Sequence, residues 1–261
     1  MFADDKLELY QKHYLLPSWS QKLQSKIAHS HVLVIGAGGL GCHVLPLLVR
    51  AGFGELTIID GDHIDISNIP RQQLYNIDDV ADYKALVALK KLRGIAMPDV
   101  KIRAYVKNIN HINDLWLYQD TVDIVVDCSD NFITRHIINK FAINNNIPLV
   151  SAAVVGEAWW QATFYGFDEN QPCYGCLFPK AIPPAKANCD EMGVLNTFVA
   201  MAASFQANAV FNVIKAQLSG GIDKTIYHSY QNHSMRRLII NKDANCSSCQ
   251  PSHDHKIAKS E

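Results

Sequence analysis

VLVIGAGGLG, Val32 to Gly41, is the stretch on which the fold turns. Four β-favouring apolar residues run into Gly36-Ala37-Gly38-Gly39-Leu40-Gly41. This is the G-x-G-x-x-G spacing of a tight strand-to-helix turn, in which Gly36, Gly38, Gly39 and Gly41 let a phosphate approach free helix N–H groups. Asp60 ends the next apolar stretch, about 20 residues on, where an acid binds ribose hydroxyls. A nucleotide is therefore expected, but the turn alone does not choose NAD over ATP, and a packing role for the glycines stays open.

Outward from this turn, strand-like and helix-like stretches alternate. Helical spacing covers 23–29, 40–51, 83–97 and 132–144, and strands are predicted at 31–35, 56–60, 100–106, 122–127 and 148–153. Such alternation predicts βαβ units and a mainly parallel sheet with helices on both faces. After Val155 the pattern changes. Stretches 159–165, 225–230 and 235–240 read as antiparallel strands, with a long apolar helix over 194–218 between the first and the others. Polar residues, Asn196 to Asn212 among them, interrupt that helix, so it is expected to be buried rather than to span a membrane.

The chain has 261 residues, 48% of them apolar, and a formal charge of −1, which gives no basic footprint for nucleic acid or a membrane surface. Its start, MFADDKLELY, is acidic and lacks an apolar signal segment, so a cytoplasmic location is expected. Seven cysteines include two C-x-x-C pairs, Cys173/Cys176 and Cys246/Cys249. With no secretory signal, four thiolates around one structural zinc is the favoured reading, over two unrelated thiol pairs or a redox motif. Cys42 and Cys128 read as small buried residues.

The residues after Asp60 point beyond hydride transfer. Asp62, Ser67-Asn68-Ile69-Pro70-Arg71 and Lys84 come next, and Asp127-Cys128-Ser129-Asp130-Asn131 ends a later strand, with Arg135 one turn into its helix. Ligands of open α/β sheets bind beyond the carboxyl ends of strands. Two cations and a carboxylate gathered there suit a triphosphate with Mg²⁺.

The ordered set GAGGLG, IIDGDHIDISNIPRQ, Lys84, DCSDN, PCYGCLFP, CDEMGVL and CSSC resembles the MoeB/ThiF/HesA family, the bacterial relatives of ubiquitin-activating enzymes, from about Leu9 to Cys249. The resemblance implies a single adenylation domain over 1–250: an N-terminal helical arm (1–30), a nucleotide-binding half (31–153), a carrier-binding and zinc half (154–250), then a polar tail (251–261). It implies MgATP-dependent adenylation of the C-terminal glycine of a ubiquitin-like sulfur carrier, for thiamine or molybdopterin biosynthesis, by a homodimer supplied by an external sulfur donor. Gly39 should then face the nucleotide and Asp60 the ribose, with Ser67 to Arg71 lining the phosphates. Arg71 and Lys84 should stabilise phosphate charge, Asp130 should hold Mg²⁺, and Asn131 should support it.

Two positions stand apart. Where the family often reads Arg-Tyr-(Asn/Ser)-Arg-Gln, this chain has Leu9-Tyr10-Gln11-Lys12-His13. Lys12 thus stands for the arginine that reaches the partner subunit's ATP, keeping its charge but not its bidentate fork. Cys189 stands where some relatives join covalently to the carrier, and an idle loop thiol is the equal alternative. An NAD-dependent oxidoreductase and a non-catalytic zinc-stabilised binding dimer are the competing functions.

Overall fold

The computed structural model describes residues 8–180 and 193–250. One eight-stranded sheet, in the order β3-β2-β1-β4-β5-β6-β7-β8, runs through it. Strands β1 (His31–Ile35), β2 (Glu55–Ile59), β3 (Lys101–Tyr105), β4 (Ile124–Asp127) and β5 (Leu149–Val155) are mutually parallel. Strands β6 (Ala158–Phe164), β7 (Ile226–Gln231) and β8 (Ser234–Ile239) extend the sheet antiparallel. The expected boundary between residues 153 and 154 falls inside β5, and the sheet crosses it unbroken.

The apolar run of β1 has no polar face because both its faces are covered. Val32 and Val34 pack into one core and Leu33 and Ile35 into the other. After α1 (Gln11–Tyr14) and α2 (Gln21–Ala28), helix α3 (Gly39–Arg50) covers the first face, joined by α4 (Lys84–Arg93). Helix α5 (Phe132–Asn144) covers the second face with Ile138, Phe141 and Ala142, next to the short α6 (Tyr174–Leu177).

Helix α7 (Asn196–Leu218) has the length and hydropathy of a membrane span, yet half of its most apolar window is buried within the fold. It packs on α3, β5 and β6. Buried Gln206 explains the polar interruption: its amide donates to Asp127 O at 2.7 Å and Val150 O at 3.2 Å, satisfying carbonyls inside the sheet. The β7–β8 hairpin turns on Asn232 and His233, both at positive φ, as a two-residue turn between twisted strands demands.

Register places the site. Ile35 pairs with Ile59 on one side and Asp127 on the other. The next residues, Gly36, Asp60 and Cys128, therefore lie side by side at one edge. There the strand order reverses about β1, the place where doubly wound sheets open a crevice.

Candidate nucleotide site and four-cysteine knuckle

A cavity of ≈ 850 Å³ opens at that edge. Gly36, Gly38, Gly39, Asp60, Asp62, Ser67, Asn68, Arg71, Lys84, Asp130 and Asn131, all expected at the nucleotide, line it. Gly41 does not. A Cβ on Gly41 would stand 2.2 Å from Gly36 O, so this glycine serves the closeness of helix to turn. Gly36 has φ +98°, and a Cβ there would meet Cys128 O at 2.5 Å. Gly39 is half-buried at the cavity wall, with Val199 across from it.

Asp60 is fixed by its own turn. Oδ2 accepts from Ala37 N at 2.7 Å and Oδ1 from Asp62 N at 2.8 Å, and burial raises its pKa against these bonds. Lys84 opens α4 almost wholly buried, its Nζ 3.0 Å from Asp62 Oδ2. The Tyr75 hydroxyl lies 2.7 Å from Ala37 O and 3.1 Å from Lys84 O, pinning the glycine turn to the start of α4. Arg71 ends a 3₁₀ turn, Ile66–Arg71, that Asp65 caps through Ser67 N at 2.8 Å. Arg71 Nη1 donates to Ser67 O at 2.8 Å, which folds its guanidinium back over the turn.

Asp130 stands exposed at the rim. The loop carrying it hangs on Asp127, whose Oδ1 accepts from Ser129 N (3.0 Å) and Oγ (2.6 Å) and whose Oδ2 accepts from Ser151 Oγ (2.5 Å). Asn131 caps α5: its Oδ1 accepts from Ile133 N at 2.8 Å and Thr134 N at 3.1 Å. That oxygen is committed to the helix N-terminus, so only the Asn131 amide nitrogen is left to support an ion site.

Lys12 is not at this cavity. Tyr10 packs against Gly52, and Trp19 meets Phe211 edge-to-face with Lys215 over its ring. The arm therefore sits at the C-terminal end of α3, about 18 Å along the helix from Gly39 at 1.5 Å per residue. Cys189 lies outside the described residues.

Sequence reasoning missed several wall residues. Lys107, Asn108 and Asn110 follow β3 at the same sheet edge, and the strand-end rule that found Asp130 could have found them. Trp160, Tyr174 and Phe178 also line the cavity, and no motif signals that the knuckle reaches so far.

The knuckle closes as expected. The Sγ atoms of Cys173, Cys176, Cys246 and Cys249 lie within 4.8 Å of one another, with separations of 3.7 Å (Cys173–Cys246), 3.9 Å (Cys173–Cys176) and 3.6 Å (Cys176–Cys249). Tetrahedral thiolates about 2.3 Å from zinc stand about 3.8 Å apart, so the donor set fits that metal. Asn139 Nδ2 on α5 donates to Cys173 Sγ at 3.6 Å, a supporting bond of the kind that orients a thiolate ligand.

The ThiF family model matches residues 10–250. A Thermus thermophilus protein named sulfur carrier protein adenylyltransferase is 35% identical over 255 residues, covering 95% of this chain and 92% of its own. The Caenorhabditis briggsae adenylyltransferase and sulfurtransferase MOCS3 is 32% identical, covering 92% of this chain, which spans 60% of that protein. The crystal structure of E. coli MccB with ATP superposes with a TM-score of 0.71 at 25% identity, over 87% of this chain and 68% of that one.

Proposed function

The chain belongs to the ThiF family, and from that premise we propose that it adenylates the C-terminal carboxylate of a ubiquitin-like sulfur-carrier protein with ATP, releasing pyrophosphate. The observation that carries the reading is one cavity holding Asp60, Arg71, Lys84 and Asp130 together. The nicotinamide alternative explains the glycine turn and Asp60, but leaves the two cations and Asp130 without work. The name of the Thermus thermophilus relative supports the choice of acceptor, and ATP in the MccB crystal structure supports the choice of nucleotide.

The chemistry needs no enzyme nucleophile. The carrier carboxylate attacks the α-phosphorus, the bond to the bridging oxygen breaks, and pyrophosphate leaves. Asp60 accepts from the ribose, and the N-terminus of α3 offers N–H groups to phosphate. Arg71 and Lys84 offset the negative charge that builds on the oxygens during attack. Asp62, paired with Lys84, holds the ammonium in place before substrate arrives. Asp130 is the residue to hold Mg²⁺, an ion that when bound neutralises phosphate charge. Cys173, Cys176, Cys246 and Cys249 are the residues to hold zinc, which when bound ties the C-terminal segment to α6.

A homodimer completes the picture. Lys12 lies a helix length from its own cavity, so its ammonium acts on the site of the partner subunit or on none. Sulfur then comes from an external donor. The test is ATP–pyrophosphate exchange with a purified carrier ending in Gly-Gly. Exchange that depends on the carrier is expected. NAD binding in place of ATP, or exchange indifferent to the carrier, overturns the assignment.

A further inference from the structure

The groups around the glycine turn close into one hydrogen-bonded ring. Asp60 Oδ2 accepts from Ala37 N at 2.7 Å, and Ala37 O accepts from the Tyr75 hydroxyl at 2.7 Å. The same hydroxyl reaches Lys84 O at 3.1 Å. Lys84 N donates to Asp62 O at 2.9 Å, and its Nζ donates to Asp62 Oδ2 at 3.0 Å. Asp62 N donates to Asp60 Oδ1 at 2.8 Å, which returns the path to its start.

Asp60, Asp62 and Lys84 line the cavity, whereas Tyr75 stands behind its wall, 3% exposed. Its own backbone is anchored, with Tyr75 N donating to Gln72 O at 3.0 Å. Burial pushes the phenol's pKa up, so the group keeps its proton and stays a donor. One proton serves two carbonyls, so the hydroxyl restrains both the glycine turn and the first residue of α4. The other tie on the Lys84 side chain is softer, because the Asp62 side chain is 61% exposed. Ala37 O also has Cys42 Sγ at 3.3 Å, a weak donor that remains if the hydroxyl is lost.

We propose that Tyr75 is a positioning residue for the phosphate subsite: its hydroxyl sets the gap between the glycine turn and Lys84. A phosphate chain has to meet the N–H groups of α3 and the Lys84 ammonium together. A fixed gap lets both bind without rearrangement, which is where preorganised charge gains its advantage. The inference rests on the adenylation reading for the identity of the ligand. The ribose end depends on it less, since Asp60 keeps its bonds from Ala37 N and Asp62 N.

Tyr75→Phe removes the hydroxyl and keeps the ring. Calorimetric titrations with MgATP, and separately with adenosine, read the site without any carrier. MgATP affinity should fall about fivefold, the scale of one neutral hydrogen bond, while adenosine affinity stays within twofold. The same substitution in a Lys84→Met chain should change MgATP affinity by less than twofold, because no ammonium is left to position. MgATP affinity within twofold of wild type for Tyr75→Phe alone overturns the proposal. So does an equal loss in both backgrounds, or a parallel loss of adenosine binding, either of which makes the hydroxyl a general folding group. Wild type that binds no MgATP removes the nucleotide reading and this role with it. Wild type that binds MgATP but shows no carrier-dependent exchange refutes the acceptor assignment and leaves this test intact.

Discussion

Arg71 and Asp130 sit at the cavity without supporting the core: Asp130 is exposed, and Arg71 donates to a carbonyl of its own turn. Arg71→Ala or Asp130→Ala should therefore lower carrier-dependent exchange by about 10²–10³, the usual loss for one preorganised electrostatic group. Melting temperature and zinc content should not move, and exchange near wild type in either variant would remove that residue from the mechanism. Both residues were legible in the sequence because a strand-end loop is local, and its side chains open into the crevice wherever the strand ends. Asp127 was legible only as part of a motif. Its work, gathering Ser129, Ser151 and Arg135, depends on β4 lying beside β5, a pairing no local pattern states. Asn131 spends its side-chain oxygen on the cap of α5, a duty that a run of polar residues at a strand end does not spell out.

The glycines of the first βα turn divide into two kinds of work. Gly36 and Gly41 face backbone atoms that cannot move aside, whereas Gly39 faces the Val199 side chain and the cavity. Gly41→Ala should thus destabilise the fold by about 1–3 kcal/mol, the cost of overpacking. Gly39→Ala should keep the melting temperature and weaken MgATP binding about tenfold, near 1.4 kcal/mol. Equal melting temperatures for the two variants would refute the division. Helix α5 carries a pH effect of its own. His136, 2% exposed between Phe132 and Tyr174, is pushed down to about 4 by burial, with Lys180 adding to it. Its pKa in the unfolded chain is about 6.5. The unfolded state then binds more protons between these values, so this contribution is whole above about pH 6.5 and is lost as pH falls towards 4. The slope is at most about 1.4 kcal/mol per pH unit. His136→Phe should flatten the stability profile across that window, and an unchanged denaturation profile from pH 4 to 7 would contradict it. Helix periodicity identified α5 readily, because thirteen residues of one pattern leave little choice. That His136 sits beneath the knuckle was hidden, because α6 reaches it only through tertiary packing.

At the scale of the molecule, the knuckle joins parts far apart in the chain, with Cys173 and Cys246 bringing together the start of α6 and the segment after β8. Cys249→Ser should release zinc, measured by elemental analysis, and lower the melting temperature. Exchange should fall only in part, because Tyr174 and Phe178 reach the cavity wall while the cysteines do not. Full zinc content in the variant would discount the site. The sequence could pair these cysteines by chemistry, but could not show that the same knuckle walls the nucleotide cavity. Lys12 poses the larger question. One chain holds it at the far end of α3, beyond the reach of a lysine side chain. If Lys12 acts on phosphate, the acting copy belongs to the partner subunit, and this has a consequence for mixed dimers. Lys12→Ala and Asp130→Ala chains should each have low exchange alone. In a mixed dimer, the site of the Lys12→Ala chain keeps its own Asp130 and receives an intact Lys12 from its partner. The other site lacks both. Random reassortment makes half the dimers mixed, with one good site in two, so exchange should recover to about a quarter of wild type under twofold symmetry. A mixture no more active than its parents would place Lys12 outside the reaction, and a Lys12→Ala chain fully active alone would do the same.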